Sequence, residues 1–520
     1  MVTLPLLVVF SGWLNIDSAV WQHLADNVLG RLLGNTLVLV AGVGGGTLVL
    51  GVSLAWLTAM CDFPGRRLFD WALMLPFAVP AYVLAFIAVG LLDFSGPVQS
   101  LLRGLLGPGN YWFPSVRSQG GVVLVMTLTF YPYVYMLTRA AFIGQGRSSL
   151  EAARVLGLGP WTAFLRVAVP TARPAIAAGL ALVLMETLAD FGTVAIFNYD
   201  TFTTAIYKAW FGLFNLPAAA QLASLLLVVV LLALTLERRG RGRARFDAMG
   251  RGRRAQRLRL TGWRAWGAFA LCTTVFTLAF AVPVIQLLVW TLERGLEDLD
   301  SRYWQLLTHT LTLGILAALL TVAGALVMAY TRRHYPDRWI RPAVRLGTLG
   351  YALPGSVLAV GIMISLTWVD NRLAELLGLF GLEAGLVLRS TILALLLAYL
   401  VRFMAVAFGP VDSGLDRIRP TLVEAARGMG AGQGEIIRRL YLPLLSPGLL
   451  TGLLLVMVDV MKEMPATLLL RPFGWDTFAV RIFEMTSEGE WERAALPALT
   501  LVLTGLLPVI LLVRRSAGGH

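Results

Sequence analysis

Charge is what this 520-residue sequence has least of. Asp, Glu, Lys and Arg make up only 14% of it, against 57% hydrophobic residues and a mean hydropathy of +0.74. Soluble domains carry about 25% charged residues, so a water-soluble globular protein is excluded. Lysine is nearly missing: of 43 basic residues only Lys208 and Lys462 are lysines, and they precede Ala209 and Glu463. A phosphate-binding P-loop needs a lysine directly before Ser or Thr to reach the phosphates, which leaves the chain no Walker site for ATP. Two cysteines (Cys61, Cys272) and four histidines (His23, His309, His334, His520) lie far apart. Neither a zinc site nor a thiolate-held iron cluster has the ligand spacing it needs, so no resident metal or cofactor is expected.

What the sequence does have is apolar runs of about 20 residues, the length that spans a bilayer. One short and eleven full segments lie near 1–14, 33–59, 71–92, 120–142, 174–197, 216–236, 265–291, 306–330, 343–368, 384–408, 447–470 and 495–513. Backbone groups in hydrocarbon must be satisfied within the segment, so each is read as a helix. The fold class is an all-α polytopic membrane protein with about 12 transmembrane helices. The opening run, Met1 to Leu14, has no basic n-region and no small-residue cleavage site, and reads as a membrane helix rather than a signal peptide. It reaches only ~21 Å against a ~30 Å hydrocarbon core. Either the true start lies upstream, or this helix is a peripheral, partial span.

The net charge of +13 raises nucleic acid as a partner, but the distribution of arginine points to topology. Alternating the loops between two sides puts 31 Lys+Arg on one side (loops near 60–70, 139–173, 237–264, 331–345 and 402–439, and the C-terminus) and 11 on the other. By the positive-inside rule the first side is cytoplasmic, and both termini with it. The 11 arginines from Arg238 to Arg264 then form a cytoplasmic linker, with lipid headgroups a lesser alternative and no nucleic acid.

The sequence also repeats itself at an offset of about 274 residues. Asn35-Thr36-Leu37 returns as His309-Thr310-Leu311, Pro80-Ala81-Tyr82-Val83-Leu84-Ala85 as Pro354-Gly355-Ser356-Val357-Leu358-Ala359, and Asp200-Thr201-Phe202 as Asp476-Thr477-Phe478. The copies fall on the same sides of the membrane, giving two parallel halves of six helices. Such halves place a pathway where they meet, which favours a transporter over a membrane enzyme. The expected parts are a first helix and loop (1–30), half 1 (31–236), the basic linker (237–264), helix seven and its loop (265–304), and half 2 (305–513).

On the arginine-rich side each half carries the same motif. Glu151-Ala152-Ala153-x-x-x-Gly157 is followed by Pro170 and Pro174, and Glu424-Ala425-Ala426-x-x-x-Gly430 by Pro443 and Pro447, with identical spacing. Ser148-x-x-Glu151 and Thr421-x-x-Glu424 each read as a capping box opening a helix. The small alanines let another surface approach, and the glycine ends the helix two turns later. A plain helical hairpin covering the membrane surface is the alternative, which two copies of one spacing disfavour.

This pattern resembles the EAA motif of permease subunits of ABC importers, here present twice in one fused chain. The resemblance covers nearly the whole chain and implies a type I importer permease in a bacterial inner membrane. It implies two copies of a separate ATPase subunit, which would use the ATP, and a periplasmic substrate-binding protein. Glu151, Ala152, Ala153, Gly157, Pro170, Glu424, Ala425, Ala426, Gly430 and Pro443 would then serve the ATPase contact. Glu186-Thr187-Leu188-Ala189-Asp190-Phe191-Gly192-Thr193, Asp200 to Tyr207, and Lys462 to Pro472 are similar to fused ferric-iron permeases. That implies iron(III) as cargo, with thiamine, carried by similar fused permeases, as the alternative. A proton-coupled secondary transporter is the rival of another class.

Four carboxylates lie inside the predicted spans: Glu186 and Asp190, and at the aligned positions Asp459 and Glu463, each pair four residues apart and so on one helix face. Each costs ~2.5 kcal/mol or more to insert, so they face protein or water. They either line the cargo path, where oxygen ligands suit a hard trivalent cation, or lock helices together and pair with Lys462. A tight iron site is not expected, because a conduit must release its cargo.

Overall fold

A computed structural model describes residues 3–14, 18–107, 111–144, 157, 159–241, 257–335, 337–379, 388–389, 391–416 and 418–517. Among these, ten helices are long and apolar enough to cross a membrane, and two shorter apolar helices, Thr3–Trp13 and Ala495–Ile510, complete the predicted twelve. We label the elements used below α1 (Thr3–Val9), α2 (Trp21–Met60), α3 (Ala81–Leu92), α4 (Pro97–Leu106), α5 (Gln119–Gly144), α6 (Trp161–Ala189), α7 (Gly192–Ile196), α8 (Phe202–Tyr207) and α9 (Leu216–Arg241). The second half continues with α10 (Trp263–Glu293), α11 (Ser301–His334), α12 (Gly355–Gly378), α13 (Ile392–Asp416), α14 (Pro420–Gly428), α15 (Gln433–Lys462), α16 (Pro465–Leu470), α17 (Phe478–Ser487) and α18 (Ala495–Ala517). Two residues of strand, β1 (Cys61–Asp62), pair in parallel with β2 (Leu258–Arg259).

The compact units do not coincide with the sequence halves. One unit gathers Met1–Trp21, Ile206–Leu227 and Glu297–Glu484; the other gathers Gln22–Ala205, Val228–Leu296 and Met485–His520. In the first, α11, α13 and α15 pack on one another around Leu313, Ala317, Tyr399, Phe403 and Val456. α1 joins this unit by packing on α12. It buries Pro5 and Val9, Trp13 donates to Ser224 Oγ at 2.8 Å, and Gln221 donates to the Gly12 carbonyl at 2.9 Å. The short first helix is thus hydrogen bonded into its unit on one side, while Leu4, Leu7 and Phe10 are exposed on the other. In the second unit α2, α5 and α6 pack together around Leu54, Tyr131, Tyr135 and Phe142, and α10 packs on α18.

Four of the predicted spans are shorter or interrupted. The run 71–92 breaks at Val79 and Pro80, and 343–368 at Leu353 and Pro354. The residue before a proline is pushed out of the helical region, and Val79 (ψ 118°) and Leu353 (ψ 132°) are extended accordingly. The runs 174–197 and 447–470 end early, at Asp190 (ψ 134°) and Glu463 (ψ 119°), and resume as the short helices α7 and α16. Apolar content continues through all four breaks, so hydropathy alone does not reveal them.

Candidate coupling and pathway sites

The coupling motif of half 2 is built around α14. The expected capping box at Thr421 is corrected: Arg419 is the N-cap, without a side-chain cap bond, and Pro420 occupies the first turn. Proline is pre-organised for that position and lacks the N–H a cap would satisfy. Thr421 therefore lies inside the helix, where Glu424 cannot close a box with it. The glycine stop holds. Gly430 donates to the Arg427 carbonyl at 2.9 Å and Ala431 to that of Ala426 at 3.0 Å, with Gly430 at φ +84°. This is a Schellman end, whose left-handed residue is best served by glycine. Val423 turns inward, while Glu424, Ala425 and Arg427 are exposed and Met429 stands 82% exposed beyond them. The helix thus presents a small, partly charged outer surface with an apolar tip. In half 1, Glu151, Ala152 and Ala153 lie outside the described residues. Gly157 has φ +79°, matching Gly430.

Pro170 and Pro443 follow wide π turns, Phe164–Ala168 and Ile437–Tyr441. A proline in a helix cannot donate to the carbonyl four residues back and crowds it. A local π turn is one way a helix absorbs that fault. The end of α11 holds the segment around α14 on both flanks. Arg333 donates to the Ile418 carbonyl, Gln433 donates to the Tyr330 hydroxyl at 3.1 Å, and the His334 Nε2 and Tyr441 hydroxyl are hydrogen bonded at 3.1 Å.

The four intramembrane carboxylates lie at the two helix breaks. Asp190, at the end of α6, accepts from Thr193 Oγ1 at 2.9 Å and from the Val194 amide at 3.2 Å, so it caps α7. Its own carbonyl accepts from Thr203 Oγ1 at 2.7 Å. Glu463 occupies the aligned place after α15 and caps α16. It accepts from the Ala466 amide at 3.1 Å and from the Thr467 amide and hydroxyl, both at 3.1 Å. Glu186 is half-buried one turn before Asp190 and acts on it electrostatically, and Asp459 acts likewise on Lys462. Among the described residues no three His, Cys, Asp or Glu side chains converge as a metal site.

Two groups were not singled out from the sequence. Arg402 was counted with the arginine-rich loop at 402–439, yet it sits in the body of α13 with its side chain 11% exposed. Its place ten residues into a 25-residue apolar helix was the available signal. The α11 clamp formed by Tyr330, Arg333 and His334 had no such signal, because its partners lie about 85 to 107 residues away.

A duplicated set of membrane helices, the same spaced motif twice on its arginine-rich side with a left-handed glycine in each copy, and helices broken at paired carboxylates define a polytopic transport subunit. The chain belongs to the family of binding-protein-dependent transport system inner membrane components, which matches residues 48–239 and 321–517. It is 29% identical to the Fe(3+)-transport system permease protein FbpB 2 of Haemophilus influenzae, over 93% of this chain and 90% of that protein. It is 27% identical to a putative 2-aminoethylphosphonate transport system permease protein, PhnV, of Salmonella typhimurium, over 43% of this chain and 78% of the relative. It is also 30% identical to the molybdenum transport system permease protein ModB of Escherichia coli, over 35% of this chain and 79% of the relative.

Proposed function

We propose that this inner membrane component forms the translocation path for iron(III) in an ATP-driven importer. A periplasmic binding protein delivers the cargo, and a separate ATPase docks on the two EAA motifs, one copy on each. The observation that carries the coupling is the motif pair itself: equal spacing in both halves, both glycines in the left-handed conformation, and an exposed face on α14. Iron is favoured over thiamine, phosphonate or molybdate because likeness to an Fe(3+) permease runs through both halves, whereas the phosphonate and molybdenum relatives match less than half of the chain. The chain has no Walker site, since no lysine stands where a P-loop needs one, so ATP is used by the separate subunit. The arginine distribution supports a cytoplasmic position for both termini.

Uptake of labelled iron, thiamine and molybdate in a deletion strain, with and without the plasmid-borne gene, tests the cargo. Iron uptake restored by the gene supports the reading, and restoration of another solute alone replaces it. Purification tests the class. An ATPase subunit should co-purify, and transport in vesicles should need ATP. Uptake driven by a proton gradient without ATP would establish the secondary transporter instead.

A further inference from the structure

Arg402 is a charged side chain in the membrane-spanning body of α13, and it touches both helix breaks of half 2. Its Nη1 donates to the Leu353 carbonyl at 2.8 Å, in the extended turn before α12. Its Nε lies 3.8 Å from Glu463 Oε1, the carboxylate that caps α16, with the two side chains 11% and 2% exposed. Tyr399, one turn earlier on α13, shares a 2.6 Å hydrogen bond with Thr467 Oγ1, which also bonds to Glu463. The three elements meet closely: a Cβ on Gly355 would lie 2.5 Å from Glu463 Oε1 and 3.3 Å from Arg402 Nη1. Only glycine lets the start of α12 approach the pair this far.

Half 1 makes the same break without an arginine. There Asp190 caps α7, and the position aligned with Arg402 is Thr129, whose hydroxyl bonds its own helix at the Val125 carbonyl, 3.0 Å away. A carboxylate is therefore enough to break the helix and cap the short helix after it. What Arg402 adds is a tie between two breaks that are 110 residues apart in sequence.

We propose that Arg402 is a positioning residue that joins the Leu353–Gly355 turn and the Glu463–Thr467 cap into one body, so that in half 2 both breaks move together during transport. Glu463 is then withdrawn from contact with cargo, its oxygens being taken up by the cap and the arginine. Asp190, whose two oxygens cap α7, is held in the same way, so carboxylate contact with cargo falls to Glu186 and Asp459. The proposal rests on the importer reading above.

The experiment uses the whole transporter, permease with its ATPase and binding protein, in lipid vesicles. Hydrogen exchange is followed in peptides covering 349–358, 463–471 and 190–197. Arg402→Gln should speed exchange in the first two together by about tenfold or more, the factor set by losing one charge-assisted hydrogen bond, and leave the third unchanged. It should lower the maximal rate of binding-protein-dependent uptake with little change in KM, and Arg402→Lys should restore part of that rate. Arg402→Gln/Glu463→Gln removes the uncompensated charge and serves if the single variant is poorly made. It should reach normal abundance yet keep both 349–358 and 463–471 loosened. The proposal is overturned if only one break loosens, if exchange rises throughout, or if the double variant exchanges and transports like the parent. If the parent transports nothing under ATP, the importer reading fails, while the exchange result still judges the tie.

Discussion

At the arginine-rich ends of the two halves, aligned positions do the same mechanical work with different partners. In half 2, Arg332 lies 5.6 Å over the Phe408 ring and 2.5 Å from the Asp412 carboxylate. The aligned residues of half 1 are Thr58, Tyr135 and Arg139. There the Tyr135 hydroxyl donates to Thr58 Oγ1 at 3.2 Å, and Arg139 turns to Asp70 at 2.6 Å. The neighbouring pair repeats the contrast. Tyr330 stacks on His334 at 4.0 Å, whereas the aligned Trp56 packs edge-on to Phe142 at 5.6 Å and against Phe164 at 4.6 Å. Each half holds these helix ends with one ion pair and one set of ring contacts, and duplication has left free which partners supply them.

The left-handed glycine of the motif is the feature the halves share most closely, so its loss is the largest effect expected. Proline fixes φ near −65°, which Gly430 at +84° and Gly157 at +79° cannot accept. Gly430→Pro should abolish iron uptake while the protein still reaches the membrane, and Gly157→Pro should match it if the halves couple equally. Double charge reversal, Glu151→Lys with Glu424→Lys, should uncouple ATP hydrolysis from uptake through the same surface. Normal substrate-stimulated ATPase and uptake in these variants would remove the motif from the mechanism. A full effect in one half only would show coupling to be asymmetric.

The helix breaks come next. Glu463→Gln leaves the Arg402 guanidinium buried without its counter-charge, a loss of about 3–5 kcal/mol when one partner of a buried pair is removed. Asp190→Asn keeps an acceptor for α7 and loses about 1 kcal/mol, one ordinary hydrogen bond. The amount of folded permease in membranes should therefore fall much further for Glu463→Gln. Equal losses would mean that Arg402 contributes nothing, and normal abundance with reduced flux at Asp190 would mark that carboxylate as part of the path.

These contrasts also show what was legible in the sequence. Span positions and the duplication were readable because hydropathy and spacing are local quantities. The breaks at Asp190 and Glu463 were not, because a carboxylate that captures amides three or four residues ahead leaves the apolar run around it intact. Pro80 and Pro354 were visible as a repeat, yet their effect on Val79 and Leu353 is conformational rather than compositional. The box at Thr421 failed because one neighbour, Pro420, starts the helix two residues earlier. That α1 belongs with α12, and α10 with α18, depends on contacts between residues hundreds of positions apart, which no pattern within a single helix encodes.

A smaller effect separates the clamps themselves. Trp56→Ala removes a large ring from an apolar cluster, and partial burial limits the loss to about 2–3 kcal/mol of the range for Trp truncation. His334→Ala removes two hydrogen bonds, one of them to the Tyr330 carbonyl of its own helix, and a stacked ring from a partly exposed site, about 1–2 kcal/mol. Thermal unfolding of the purified complex should rank them in that order. The reverse ranking would make the polar clamp of half 2 the stronger of the two.

The finest difference is the strand pair, which half 1 has and which lacks a counterpart among the described residues of half 2. The end of the basic linker is pinned there: β2 pairs Leu258 with Cys61, and the Leu260 amide donates to the Asp62 carbonyl at 3.0 Å. Cys61 is buried under this staple, and burial pushes its thiol up to about 12. Thiolate is the reactive form, so between pH 7 and 9 the group stays protonated and should react with a maleimide far more slowly than a free thiol. Leu260→Pro deletes the donating amide and should loosen the staple, exposing Cys61 and returning its reactivity toward that of an ordinary cysteine. Cys272, buried in α10, is replaced by serine so that label reports one site only. Faster labelling with unchanged uptake would make the staple a fastening for the linker alone. Faster labelling with lost uptake would tie the linker to coupling in half 1, and unchanged labelling would show that something other than the strand shields the thiol.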